Sequence, residues 1–225
     1  MTKLIKTSIF LMLLCSSTLV RAQVMEVSIN LQPGFSHETI DNPVYNSTTV
    51  PLSFAFRGGL EGTYFFNETW GARLGLDFLT TRYHDVGIFP VFSETNELLE
   101  TTTQKYPISI YYLSVPVQAV YKMPLEHIGI NLMAGFRYHS YLGSKDNAMY
   151  DAQKYPWYKT SYLSGNVGVE FYKSLTDNLL VSVGVTTDFA FTNFLEENDG
   201  VVQLNDKNRL WQMFVPIKLT YQFKK

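Results

Sequence analysis

From Met25 to the C-terminus the chain alternates apolar and polar residues with a period of two, the mark of a half-buried β-strand. The longest run is LVSVGVTTDFAFTNF: Val181, Val183, Val185, Thr187, Phe189 and Phe191 share one face, and Ser182, Gly184, Thr186, Asp188, Ala190 and Thr192 share the other. INLMAGFRYHS sets Ile130, Leu132, Ala134, Phe136 and Tyr138 against Asn131, Met133, Gly135, Arg137 and His139. MEVSINLQ, LSFAFRGGLEGTY, ARLGLDF and LSGNVGVEF behave alike, as do the proline-bearing strands SVPVQAVY and FVPIKLTY, and the pattern predicts eight strands. No stretch beyond the first residues has 18 consecutive apolar positions, so no transmembrane helix is expected.

The connections sort by length. Segments 67–70, 123–129 and 175–178 are short, whereas 36–49, 84–105, 143–160 and 195–208 are long and polar. Short turns alternating with long loops predict an all-β fold: an eight-stranded antiparallel up-and-down transmembrane β-barrel, with short periplasmic turns and long extracellular loops. Alternation alone fits a soluble sandwich or lipocalin-like barrel equally, with the apolar face turned inward. Other features favour the membrane reading. Large aromatics crowd the apolar face near strand ends (Phe35, Tyr64, Tyr111, Tyr121, Phe171, Trp211, Tyr221 and Phe223), as interfacial girdles do. The segments are also long enough to cross a hydrocarbon band of about 25 Å.

The polar face carries Arg57, Arg73, Lys122, Arg137 and Lys218 against Glu26, Glu61, Asp77, Glu170 and Asp188. Unpaired charges in a narrow bore are costly and paired ones are tolerated, so this balance predicts a salt-bridged, plugged lumen. Pro116 and Pro216 fall on the same face. A strand proline removes a ladder donor, which predicts a bulge or local bend at each. Gly59, Gly75, Gly135, Gly168 and Gly184, on that face too, suit the sharp coiling of a small barrel.

Composition then narrows the class. MTKLIKTSIFLMLLCSSTLVRAQ has a basic start, a short apolar core and Val20 and Ala22 before Gln23, so residues 1–22 read as a cleaved signal peptide and 23–225 as one outer-membrane barrel domain. Cys15 follows Leu14, which does not suit lipid modification, and a mature chain without it has no thiol or disulfide chemistry. Cleavage removes Lys3, Lys6 and Arg21 from 18 basic residues set against 20 acidic ones, a mature net charge of about −5 that offers nothing to nucleic acid.

YLSVPVQAVYK, LMAGFRYHSYLG, SGNVGVEF and the closing VPIKLTYQF resemble the PorT-type outer-membrane β-barrel proteins of Bacteroidetes-like, Gram-negative bacteria, over the whole mature chain. The resemblance implies an eight-stranded barrel in the outer membrane; one member of that family is associated with secretion of proteins to the cell surface. The chain departs by ending YQFKK, with its terminal aromatic two residues from the end.

Chemistry is sparse. His37, His84 and His139 lie in or near the outer loops without a diagnostic Ser/His/Asp spacing, and His127 lies in a short turn. No phosphate-binding loop or metal-ligand spacing is present, so no cofactor is expected. The loop MYDAQKYPWYK gathers Tyr150, Tyr155, Trp157 and Tyr158, which suit a protein partner, the lipid interface or a cap on the barrel. The expected function is a non-enzymatic, monomeric barrel in outer-membrane lipid, with a structural or surface-interaction role and an envelope protein as partner. A narrow solute channel and a lipid-modifying enzyme are the alternatives.

Overall fold

The computed structural model describes residues 24–41, 48–92, 98–146, 161–192 and 207–224. The first 22 residues, read above as a signal peptide, lie outside them. The strands are β1 (Val24–Asp41), β2 (Thr48–Phe65), β3 (Trp70–Phe92), β4 (Leu98–Met123), β5 (Gly129–Asp146), β6 (Ser161–Ser174), β7 (Leu179–Ala190), β8 (Lys207–Phe214) and β9 (Ile217–Lys224). All pairings are antiparallel between neighbours, and β1 pairs with β2 on one side and with β8 and β9 on the other, so the sheet closes on itself. No helix among the described residues is long and apolar enough to cross a membrane.

Eight staves build the ring, because β8 and β9 are two halves of one strand interrupted at Val215–Pro216. The bulge expected at Pro216 is absent. Along β1 the pairing steps from Gly34↔Phe214 to Leu31↔Ile217, three residues on each strand, so register is kept across the proline. Gly184 still donates to the Pro216 carbonyl (3.1 Å) and Val215 to the Pro33 carbonyl (2.8 Å). Neither proline has an N–H to return, so the closing seam lacks two ladder bonds and still keeps its register.

Pro116 behaves likewise. It pairs with Arg137 on β5, while the β3 ladder skips Gly75 and Leu76 opposite it, and no register shift results. The proline that does sit in a bulge is Pro51. Between Ser36↔Ser53 and Glu38↔Val50, Pro51 and Leu52 oppose His37 alone.

Burial settles which way the faces point. Ile29, Leu60, Leu74, Leu132, Phe136 and Val183 lie on the outer surface, each at least 42 % exposed, whereas Asn30, Arg57, Asp77, Ser114 and His139 are at 0 %. The soluble sandwich and lipocalin-like alternatives require the reverse and are excluded. Aromatic pairs mark both rims of the apolar band: Trp70 on Tyr121 (4.8 Å) and Tyr221 on Phe223 (4.8 Å) at the short-turn end, Phe78 on Tyr111 (5.8 Å) toward the other.

Two of the three short turns are built on side-chain acceptors. Asn67 Oδ1 accepts from the Thr69 and Trp70 amides (2.9 and 2.7 Å), and Thr176 Oγ1 accepts from Leu179 (3.1 Å). At the opposite end, two of the expected long loops turn out to be mostly strand. Segment 36–49 is bridged by Glu38↔Val50, Thr39↔Thr49 and Ile40↔Thr48. Segment 84–105 is a ribbon in which β3 pairs with β4 from His84↔Pro107 to Phe92↔Leu98. Above Thr81 the register gives β3 no β2 partner, and below residue 108 β4 has no β5 partner, so the ribbon stands clear of the barrel by about 11 residues, roughly 35 Å.

Candidate functional site

The ten charged residues of the polar face all lie in the lumen, and geometry divides them into three tiers. Nearest the short turns, Lys122 Nζ meets Glu26 Oε1 at 2.7 Å. Gln222 Nε2 donates to the same oxygen (2.6 Å), and the ammonium sits over the Phe65 and Tyr172 rings at 4.8 and 4.9 Å.

In the middle tier Arg73 grips Glu170 through its two terminal guanidinium nitrogens, Nη1 and Nη2, each at 3.1 Å. Its Nε lies 3.7 Å from Glu61 and donates to Thr63 Oγ1 at 3.0 Å. Lys218 Nζ reaches Glu170 at 2.5 Å and also bonds Glu61, closing a four-membered ring of charges. In the upper tier Arg57 Nη1 meets Asp188 at 2.5 Å, Arg137 bonds Asp77, and Arg137 Nε lies 3.3 Å from Asp188. Gln32 accepts from Arg57 at 3.0 and 2.6 Å, Thr186 Oγ1 at 3.2 Å, and Asn30 Nδ2 donates to Asp77 at 3.0 Å. The Arg57 guanidinium also lies 4.1 Å over Phe214.

Each tier is neutral: one base with one acid, then two with two, then two with two. Desolvated ions tolerate burial only when paired and further hydrogen-bonded. Every ion here is paired, and further hydrogen bonds support Arg57, Arg73, Asp77, Asp188 and Glu26, while Arg137 Nε is left without one.

Glycines make room for the tiers. Gly184 pairs with Glu170 and Gly135 with Gln118. A Cβ on either would stand 2.1 Å from the backbone oxygen of the neighbouring strand, at Val169 or Val117. The bulky polar side chain can lie across the barrel because the residue opposite it has none.

Above the upper tier the lumen turns apolar. Leu79, Ile110, Tyr112, Tyr162, Leu210 and Phe214 form a buried cluster inside the bore, with Ala55. Under it His139 bonds Ser114 Oγ through Nδ1 (2.8 Å) and Ser164 Oγ through Nε2 (3.0 Å), and its ring stacks on Tyr162 at 4.1 Å. The expectation that His139 lies at the outer rim is therefore corrected: it is fully buried, tying β4, β5 and β6 together. His127 is exposed in its turn. A second apolar cluster, Phe65, Val120 and Met133, lines the other end.

Residues 21–225 match the outer membrane protein β-barrel domain. The chain belongs to that family. Its place is the outer membrane, where an apolar outside and a charged inside are the stable arrangement. Among solved structures it is similar to the outer membrane protein OprG from Pseudomonas aeruginosa, at 13 % identity over 91 % of this chain and 98 % of that one, with a TM-score of 0.54. It is also similar to the attachment invasion locus protein Ail of Yersinia pestis (16 %, 88 % and 98 %, TM-score 0.35) and to the outer membrane protease OmpT of Escherichia coli (11 %, 90 % and 97 %, TM-score 0.41). No curated protein matches. The OprG likeness shows the barrel fold alone.

In this outer-membrane barrel several contributors carry no charge and so escaped the sequence reading: Asn30, Gln32, Thr63, Gln118, Asn166 and Gln222 supply the tiers' remaining hydrogen bonds. The only signal for them is their parity on the lumen face. The aromatic loop with Tyr150, Tyr155, Trp157 and Tyr158 lies outside the described residues. Among the described residues no cluster of His, Cys, Asp or Glu could hold a metal ion.

Proposed function

We propose that this chain is a closed, non-enzymatic barrel of the PorT type that works by contact at the cell surface, as part of an envelope or secretion assembly. The observation that carries the reading is the lumen: three neutral, hydrogen-bonded charge tiers between two apolar clusters fill the bore of an eight-stave barrel, whose interior is only wide enough for side chains. A conducting pore needs water along that path, and ions held this tightly leave it little room. Against a lipid-acting enzyme stands the position of His139, shut inside the bore away from lipid.

What remains outside the bilayer is contact surface. The β3–β4 ribbon is the tallest described part of it. Odd-numbered β3 residues bond β4, as the Lys122 amide to Thr69 carbonyl bond shows (2.6 Å), so Pro90 turns toward the ribbon's free edge. By the same alternation Pro107 falls on the free edge of β4. A proline on each edge blocks addition of a further strand, which favours partners that meet the faces of the ribbon.

The test is conductance of the pure folded protein in a planar bilayer. A closed barrel passes no steady current; large, stable steps would replace this reading with the solute channel. Co-purification from native outer membrane then identifies the partner, and a barrel recovered alone after cross-linking would count against an assembly.

A further inference from the structure

The outward face of the barrel is nearly free of charge, and the exceptions fall in a pattern. Among residues whose side chains are described, the outward positions of the strands hold no acid and three cations. Lys173 is at the short-turn end, beside the turn after β6; Arg82 and Lys145 are exposed at the opposite end. The last two are not scattered. Arg82 pairs with Ser109, and Ser109 pairs with Lys145, so the three residues form one row across β3, β4 and β5. Adjacent strands are about 4.8 Å apart, which sets the two cations roughly 10 Å apart with the serine between them.

Beneath that row lies apolar surface. Tyr111 is two residues below Ser109 on the same face, and Phe78 is four below Arg82. Their rings stack with centroids 5.8 Å apart and planes 24° from parallel. The short turns lie at the other end of the barrel, so this is the extracellular rim of the apolar band. Neither Arg82 nor Lys145 forms an ion pair with any residue whose side chain is described, in contrast to all ten charges of the lumen. A long cationic side chain at such a rim extends along the surface to reach the headgroup layer.

We propose that Arg82, Ser109 and Lys145, above the Phe78–Tyr111 pair, form a binding site for a phosphate-bearing lipid of the outer leaflet. The two cations close on the phosphate from either side of Ser109, whose hydroxyl donates to it, and an acyl chain lies on the stacked rings. Aromatic surface and cations together select an amphiphile: free phosphate has nothing to place on the rings, and a zwitterionic headgroup carries its own cation against Arg82 and Lys145. Guanidinium and ammonium both favour a phosphate, the former through paired donors.

The full-length protein, folded into nanodiscs of phosphatidylcholine with a minor fraction of phosphatidic acid, tests this by native mass spectrometry of the lipids it retains. Wild type should retain phosphatidic acid over phosphatidylcholine by about tenfold or more, the scale set by two cations near an anionic surface, and added inorganic phosphate should not displace it. The Arg82→Gln/Lys145→Gln double variant should lose the preference, and Lys173→Gln, at the other end, should keep it. Both sites are exposed, and heat-modified gel migration verifies that each variant is folded. An unchanged lipid ratio in the double variant, no preference in wild type, or displacement by inorganic phosphate would each overturn the site.

Discussion

Inside the barrel, ten charged side chains sit at 14 % exposure or less and every one has a counter-ion. On the outside of the same strands, leucine, valine and phenylalanine stand half exposed, and from Trp70 to Thr80 on β3 no charge points outward. Neighbouring residues such as Ser182 and Val183 therefore answer to different solvents. The difference teaches that the two faces fail by different physics. A lumen error strands a charge that had a partner; a lipid-face error introduces a charge where none can be hydrated.

The severest break in that comparison is expected inside. Arg137→Ala removes one of two bases from the upper tier and leaves Asp77 and Asp188 with Arg57 alone. Breaking a buried pair costs about 3–5 kcal/mol, which urea titration of the barrel in vesicles would read. Adding Asp77→Asn restores the tier's neutrality and should return part of that loss. Next comes the outside: Val183→Arg, half exposed on the lipid side, should cost about 2–4 kcal/mol in the same titration if the site lies near mid-bilayer. Little or no cost from either change would mean that the faces are not distinguished as described.

The smallest effect sharpens the account of the seam. Pro216→Ala supplies an N–H facing the Gly184 carbonyl. A new ladder bond contributes about 0.5–1.5 kcal/mol. Loss of proline's restraint on the unfolded chain offsets about 0.4–1 kcal/mol of it. Stability should move by less than about 1 kcal/mol, while hydrogen exchange finds the new amide protected.

Much of this was legible in the sequence because a period of two survives any context with one wet and one apolar side. Strand parity put Arg57, Arg73 and Glu170 on one face and Leu132 and Val183 on the other, and the aromatic rims and loop lengths turned the first face inward. The partnerships were not legible, since they join distant residues: Arg57 to Asp188, 131 positions apart, and Lys218 to Glu61, 157 apart. The ribbon was missed for another reason. Above the bilayer both faces of a strand meet water, so alternation fades, and HDVGI reads as loop though His84–Ile88 pairs regularly with β4. The apolar cluster inside the upper bore was missed because Leu79, Ile110 and Tyr112 place large apolar residues on the parity expected to be polar. Of the bulge or local bend expected at each proline, the bulge does not form, because a lost donor is not a lost register. At Pro116 and Pro216 the neighbouring pairs hold the alignment without it.

The tier-by-tier neutrality of the lumen has an electrical consequence. An elementary charge crossing a whole membrane exchanges about 2.3 kcal/mol with each 100 mV of potential, and a group with no net charge exchanges none when it shifts as a unit. Because each tier sums to zero on its own, a potential across the outer membrane exerts no net pull on any of the three. The interior is built to be insensitive to voltage, and a change that unbalances one tier, such as Arg137→Ala, would give the field a handle it does not otherwise have.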